Sequence, residues 1–492
     1  MKNLHVWLDD EIHGGAMTRR VVASLLWLGS ASLLGQIVSW LSTVLVIRLL
    51  TPTDYGLMAM AGLPVGFLMV VGDLGVGTVI VQAPTLSRPK LQALFGACLV
   101  TSLLSGTVIF ASAPLMAAFF AEPRLTPLVR ALSLGFDFVG FSALPQALMA
   151  RALQFDRKAK IDVLTALVSS VFALALAMTG WGVWSLVGAV LVMQAFRAVA
   201  SQIVHPCLFR PFPSLTELRG SVHFGGWVTL DRILWFGYSS VDVAIIGRAL
   251  GGSLVGVYTV ALSLAAIPLD KGMSVVNDIS LSAFSRMQGD RERIRQGVLR
   301  ALESVSLLAF PTFFGMAVVA PVLVDVCLGP KWAEAVLPLQ ILCLVFPFRA
   351  VGLSFAPALL GTGRPRVVVE NNAITLAVVA VALAIGVQWG VIGLCVGWVV
   401  GYLLVFGVVA RRTLAALEIP ARQVVAPLGF SLAAALAMAT AVAVARTLTG
   451  EALPPAVELA TLILFGAGMY GAVVLAFRPR TLQTLRALGV EK

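Results

Sequence analysis

The chain has 492 residues, of which 59% are hydrophobic and only 12% charged, with a mean hydropathy of +0.96. A soluble globular protein carries about 25% charged residues, so this composition excludes a water-solvated globule and makes lipid the main solvent. The net charge of +11 would suit a nucleic-acid binder, but its distribution assigns it to membrane orientation.

Residues 1–20 carry Asp9, Asp10 and Glu11. Acidic residues do not suit the basic start of a signal peptide, so a cytoplasmic N-terminal segment is expected here. A membrane-spanning helix needs about 20 apolar residues. Fourteen apolar runs meet that length: roughly 21–47, 56–82, 91–119, 128–149, 161–179, 183–203, 222–247, 254–281, 298–322, 333–360, 367–386, 389–410, 424–446 and 456–477. The shortest connectors, Gly180-Trp181-Gly182 and Val387-Gln388, have room only for tight hairpin turns. The fold class expected is therefore all-α, a polytopic membrane protein of about fourteen transmembrane helices.

Basic loop residues orient such a chain, because cytoplasmic loops hold the excess of Lys and Arg. With the N-terminus inside, the inner segments hold 24 Lys and Arg, and the outer loops hold five: Arg48, Arg124, Arg248, Lys331 and Arg446. Both termini are then cytoplasmic, and the positive charge serves orientation rather than nucleic acid. The most charged inner stretch, residues 284–297, reads as a solvated loop, with a short amphipathic helix as the alternative.

The chain also repeats itself. Ile47-Arg48-Leu49-Leu50 with Tyr55-Gly56-Leu57 recurs as Gly247-Arg248-Ala249-Leu250 with Val255-Gly256-Val257, and Trp27 recurs as Trp227, at an offset of 200. Trp181-Gly182-Val183 recurs as Trp389-Gly390-Val391, Ala113-Pro114 as Ala320-Pro321, and Ser142 with Pro145 as Ser354 with Pro357. A repeat of this period in an apolar chain points to a two-lobed transporter. The expected organisation is a cytoplasmic segment 1–20, an N-lobe 21–206 (spans 1–6), a cytoplasmic linker 207–221 and a C-lobe 222–411 (spans 7–12). A second cytoplasmic linker (412–423), an added helix pair 424–477 and a cytoplasmic tail 478–492 complete it. Six spans per lobe give both lobes the same orientation, a parallel repeat.

Catalytic and cofactor motifs are missing. There is no G-x-x-x-x-G-K-[ST] for nucleotide phosphates, no H-E-x-x-H and no G-x-S-x-G. The five Cys form no C-x-x-C pair, which argues against a zinc site or disulfide framework. Cys98, Cys327, Cys343 and Cys395 read as small packing residues in apolar runs. Gly393, Gly397 and Gly401, four apart, read as a close-packing face. No cofactor and no metal are expected.

The informative residues are charges inside the spans, because a charge at a helix centre costs about 2.5–3.5 kcal/mol to insert. They are Asp73 in span 2, Arg130 and Asp137 in span 4, and Asp231, Arg232 and Asp242 in span 7. Asp270, Lys271 and Asp278 lie in span 8, and Arg349 in span 10. Spans 7 and 8 hold the most. Internal salt bridges would account for some of these charges. A cationic, wet cavity for an anionic substrate would account for Arg232, Lys271 and Arg349, with Asp231 and Asp270 beside them. Arg130 lies near an outer end, where it can snorkel to the interface.

Arg48-Leu49-Leu50-Thr51-Pro52-Thr53-Asp54-Tyr55-Gly56, then Gly72-Asp73-Leu74-Gly75-Val76-Gly77 with Gln82, resemble the opening of the Wzx-type flippases for lipid-linked oligosaccharides. Ala113-Pro114-Leu115 before Phe119-Phe120, and Ala147-Leu148 through Arg151 to Phe155, fit the same family. It belongs to the superfamily of multidrug exporters and the lipid II flippase, and the pattern looks closest to exporters of exopolysaccharides such as colanic acid, xanthan or succinoglycan. The resemblance implies two six-helix lobes around a cavity lined by spans 1, 2, 7 and 8. It implies an undecaprenyl-diphosphate-linked repeat unit as substrate, flipped across the bacterial inner membrane by alternating access. On that reading Arg232 and Lys271 would meet the diphosphate, Arg349, Arg130, Asp231 and Asp270 would belong to the same cavity, and Asp73, Asp231 or Asp270 would carry a coupling ion. Membrane lipids, a polysaccharide polymerase and a co-polymerase would be its partners. Two other readings share the fold, a multidrug antiporter and a lipid II flippase. A membrane-bound polymerase or ligase is the reading from another class.

Overall fold

The computed structural model describes residues 39, 41–72, 80, 88–152, 154–207, 215–286, 291–449 and 453–477, with side chains described at all of these except 71, 72, 155, 215–231, 270–286, 291 and 449. Every regular element among the described residues is helical. In chain order they are α1 (41–49), α2 (Pro52–Gly72), α3 (Arg88–Phe120), α4 (Leu125–Ser133), α5 (Gly135–Arg151), α6 (Phe155–Met178), α7 (Val183–Val204), α8 (Leu215–Leu250) and α9 (Gly252–Arg286). Then come α10 (Arg291–Cys327), a 3-10 turn (Pro330–Ala335), α11 (Val336–Leu353), α12 (Phe355–Gly361), α13 (Pro365–Gly386), α14 (Gly390–Ala416), α15 (Arg422–Thr449) and α16 (Pro455–Phe477).

Among the described residues, 12 stretches are long and apolar enough to cross a membrane. One of them, Pro365–Ala416, is 52 residues long and holds both α13 and α14, joined by the 3-10 turn Val387–Trp389. The first expected span, 21–47, lies mostly outside the described residues. Two expected spans are interrupted: 128–149 divides into α4 and α5 at Leu134, and 333–360 divides into α11 and α12 at Ser354. Pro357, with no N–H to give, sits just past the second break. The charged stretch 284–297 also differs from the expected loop. Residues 291–297 are the first turns of α10, with Glu292 accepting from Arg295 at 2.9 Å and from Gln296 at 2.9 Å.

Both short connectors are tight turns, and each holds a glycine at positive φ. Gly182 has φ +52° and Gly390, its counterpart, φ +75°, a conformation in which a side chain would be strained. Each glycine lies where a new helix, α7 or α14, begins.

The chain forms two compact units. The first comprises residues up to Leu49, Gly72–Phe110 and Ala131–Val222. In it α7 packs against α6 and α5, and Ile80, Leu94, Phe95, Leu144, Ala147 and Cys207 form a buried cluster. Pro145 deprives the Phe141 carbonyl of its helical partner. The Gln202 amide replaces it, donating at 2.8 Å, while the Gln202 carbonyl accepts from the Cys207 N–H at 2.9 Å.

The second unit comprises Leu50–Val71, Ala111–Arg130 and the chain from His223. Here α10 packs against α11, α15 and α16, and α14 against α13 and α11. Prolines again leave orphan carbonyls, which hydrocarbon cannot satisfy. Pro311 frees Leu307, whose carbonyl accepts from the Tyr470 hydroxyl at 2.9 Å. Pro321 frees Ala317, whose carbonyl accepts from the Gln340 amide at 3.0 Å. The glycine face of α14 packs on α13 as its spacing predicts. A Cβ on Gly393 would lie 2.2 Å from the Gly386 carbonyl oxygen, and one on Gly397 2.7 Å from that of Ala382.

Candidate functional site

Within the second unit, helices α8, α9, α11 and α14 bury an ionic and aromatic cluster. Asp242 lies near the middle of the apolar stretch Arg232–Leu250 and is 0% exposed. A carboxylate in such a place must be hydrogen-bonded or paired, because an isolated buried charge is very costly. Its Oδ2 accepts from the Tyr258 hydroxyl of α9 at 2.5 Å, and its Oδ1 from the Val243 N–H at 2.7 Å. The Tyr258 oxygen in turn accepts from Trp398 Nε1–H of α14 at 2.7 Å. Tyr258 and Trp398 are both fully buried, so the relay Trp398 to Tyr258 to Asp242 ties three helices together through polar atoms.

Arg349 of α11 faces the same cluster. Its guanidinium carbon lies 4.7 Å from the ring centre of Phe346, 4.8 Å from that of Trp398 and 5.6 Å from that of Tyr238. Tyr238 meets Trp398 edge-on at 5.6 Å and Tyr402 at 6.4 Å. The three rings form a cage around a half-buried cation. Cation–π contact is worth about 0.5–1 kcal/mol at exposed sites and about 2 or more when desolvated. The guanidinium is close enough to Asp242, Tyr238, Tyr258 and Tyr402 to interact electrostatically with each. A planar donor fork held on aromatic faces can bind a phosphate or carboxylate through two parallel hydrogen bonds.

Of the residues expected to form a site, Arg349 is the one placed in this cluster. Arg232 is on α8 and Arg130 on α4, both with exposed side chains. Asp231, Asp270 and Lys271 fall on α8 and α9 where side chains are outside the described residues, and Asp73 lies outside the described residues altogether. Asp242 was visible in the sequence as a charge within a span. Tyr238, Tyr258 and Trp398 carried no signal, since lone aromatics in apolar runs look like ordinary lipid-phase packing. Among the described residues, no group of three His, Cys, Asp or Glu side chains could hold a metal ion.

This helical architecture has known counterparts. The lipid II flippase MurJ, in an inward closed conformation, superposes with a TM-score of 0.76 at 11% identity, covering 93% of this chain and 100% of that one; at that identity the likeness is one of fold. The lipopolysaccharide biosynthesis protein WzxC of Escherichia coli (strain K12) is 24% identical over 392 residues, 78% of each chain. The succinoglycan biosynthesis transport protein ExoT of Rhizobium meliloti (strain 1021) is 26% identical over 317 residues, 64% of each chain. The sequence profile described as polysaccharide biosynthesis protein matches residues 44–337, a stretch that runs from α1 past the 3-10 turn before α11 and takes in Asp242 and Tyr258 of the buried relay. By that match over more than half its length, this polytopic all-helical chain belongs to the polysaccharide biosynthesis protein family.

Proposed function

We propose that this multi-pass bacterial membrane protein flips undecaprenyl-diphosphate-linked oligosaccharide repeat units across the inner membrane, for synthesis of an exopolysaccharide, O-antigen or capsule. It is a transporter rather than an enzyme, as are the proteins it resembles in fold and sequence. The observation that carries the substrate class is Arg349, a cation kept at mid-depth on an aromatic cage. Moving a diphosphate through hydrocarbon unaided means burying unpaired charge, which is costly. A pre-oriented guanidinium offsets that cost for an anion and does the opposite for a cationic drug, which favours the flippase over a multidrug antiporter.

Arg232 and Lys271 would complete the cationic path, with Arg130 nearer its outer end. Asp73, Asp231 or Asp270 would carry the coupling ion. The two six-helix lobes, 21–206 and 222–411, would alternate access around the path while the lipid tail stays in the bilayer. Both termini would lie in the cytoplasm, and a polysaccharide polymerase and co-polymerase of the same glycan would be partners. Purified protein in proteoliposomes with a lipid-linked oligosaccharide tests the reading. Protein-dependent exposure of the sugar on the opposite leaflet, without ATP, is the expected result, and no flipping above protein-free vesicles overturns it.

A further inference from the structure

Asp242 and Arg349 share one cluster, yet no ion pair joins them. Among the described residues, no carboxylate is within ion-pair distance of the Arg349 guanidinium. The two groups are still close enough to interact electrostatically. Both also meet the same indole: Trp398 stacks 4.8 Å from the Arg349 guanidinium carbon, and its N–H donates to the hydroxyl that Asp242 binds. In a low-dielectric interior a guanidinium and a carboxylate attract strongly, and their usual union is a bidentate pair. Something in the cluster prevents it.

The hydrogen bonds supply the reason. Asp242 Oδ2 is taken by the Tyr258 hydroxyl and Oδ1 by the Val243 N–H, so both oxygens are already engaged. The Tyr258 hydroxyl is itself pinned, because its oxygen accepts from Trp398 at 2.7 Å. Arg349 is held from its own side. The Phe346 ring of its cage packs on Phe313 at 5.4 Å, and a Cβ on Gly352, one turn further along α11, would lie 2.5 Å from the Tyr402 hydroxyl of α14. Packing alone gives no reason for a carboxylate here, since well-packed apolar residues often replace buried ionic groups without loss of stability.

We infer that Tyr258 is a positioning residue: by holding Asp242 it keeps Arg349 open to the substrate's phosphate, rather than closed in an internal salt bridge. The inference rests on the reading of Arg349 as the anion contact of the flippase above. Asp242 remains near enough to offset the guanidinium charge through space, which makes a cation inside a membrane span less costly. Its oxygens, however, do not fill the donor fork. An arriving phosphate can then take the two parallel N–H donors directly. An anion that first had to displace a carboxylate from those donors would bind more weakly by the strength of the pair it broke.

The test measures binding of farnesyl diphosphate, a soluble prenyl diphosphate, to the purified full chain in detergent. Tyr258→Phe should weaken binding about tenfold or more, the scale of a hydrogen bond to a charged group, because the released carboxylate closes on Arg349. Adding Asp242→Asn removes the carboxylate that captures Arg349, and affinity should return to within about threefold of the unmodified protein. A purely structural role for Tyr258 gives the opposite, a double variant at least as weak as the single, and that result overturns the proposal. A second measurement needs no variant. Phenylglyoxal modifies guanidinium groups that no carboxylate engages. In unmodified protein, mass spectrometry should find Arg349 modified, and farnesyl diphosphate should protect it. An Arg349 that phenylglyoxal leaves untouched also overturns the proposal. Flipping by unmodified protein in proteoliposomes separates the two readings. If binding follows the expected pattern but nothing flips, the flippase reading falls and the positioning role stands. If the protein flips and Tyr258→Phe binds normally, the positioning role alone falls.

Discussion

Gln340 donates its side-chain amide to the carbonyl of Ala317 on the neighbouring helix, at 3.0 Å. That carbonyl is the one Pro321 leaves without a helical donor. Replacing Gln340 by Leu should cost about 1–3 kcal/mol, the penalty of an unsatisfied buried acceptor. Thermal unfolding in detergent measures it. The cost should shrink in a Pro321→Ala background, where the helix supplies its own N–H; an equal cost in both backgrounds would show that the amide serves some other purpose.

Tyr258 both accepts from Trp398 and donates to Asp242. Tyr258→Phe removes the hydroxyl and leaves a fully buried carboxylate short of a donor. A loss of about 1.5–3 kcal/mol is expected, the range for hydrogen bonds to charged groups. Adding Asp242→Asn removes the charge and should recover part of the loss. A double-mutant cycle on unfolding midpoints reads the coupling, and strictly additive losses would argue against the relay.

Arg349 is held by ring faces as much as by charge. Lys keeps the charge but not the planar fork. Both Arg349→Lys and Arg349→Ala should lower export of the polysaccharide at least tenfold, with protein abundance unchanged on immunoblots. Near-normal export by the Lys variant would mean that any cation at this depth suffices.

In the turn between α3 and α4, Arg124 Nε and Nη2 donate to the two Glu122 carboxylate oxygens, each at 2.8 Å. The Arg124 side-chain hydrogen bonds hold the Glu122 carboxyl below its usual value. A lowered folded value means that the pair stabilises the fold above the ordinary carboxylate range and loses that contribution as pH falls through the lowered value. Arg124 is 60% exposed, so solvent screening keeps the contribution below about 1 kcal/mol. Glu122→Gln should therefore lower the unfolding midpoint slightly at neutral pH and leave it unchanged in strong acid. A gap that persists in acid would assign the effect to packing.

Hydropathy made the spans legible, because each apolar run had to reach across a bilayer on its own. The turns at Gly182 and Gly390 were legible from their brevity, and the face Gly393, Gly397 and Gly401 from its period of four. The breaks at Leu134 and Ser354 were not, since both fall inside runs apolar enough overall to read as one span. The same holds for the proline partners. Pro321 shows that a carbonyl is freed, but which helix brings Gln340 to it depends on tertiary packing. In the candidate site, Arg349 stood out because a cation in a span demands a reason, whereas Tyr238, Tyr258 and Trp398 cost nothing to insert and so drew no notice. Asp242 was seen as a charge, but its partners come from helices α9 and α14, beyond the reach of any local pattern.

Helices α2 and α9 meet by bare backbone: a Cβ on Gly56 would run into the Gly252 carbonyl oxygen, and one on Gly256 into that of Pro52. This reciprocal approach has the form of a contact between two identical subunits. In a twofold homodimer, residue i of one copy meets residue j of the other while j meets i, and Pro52, Gly56, Gly252 and Gly256 obey that rule across 200 residues of one chain. The cage around Arg349 and the relay through Asp242 take all their residues from the later half of the sequence, so a symmetric joint sits beside an asymmetric interior.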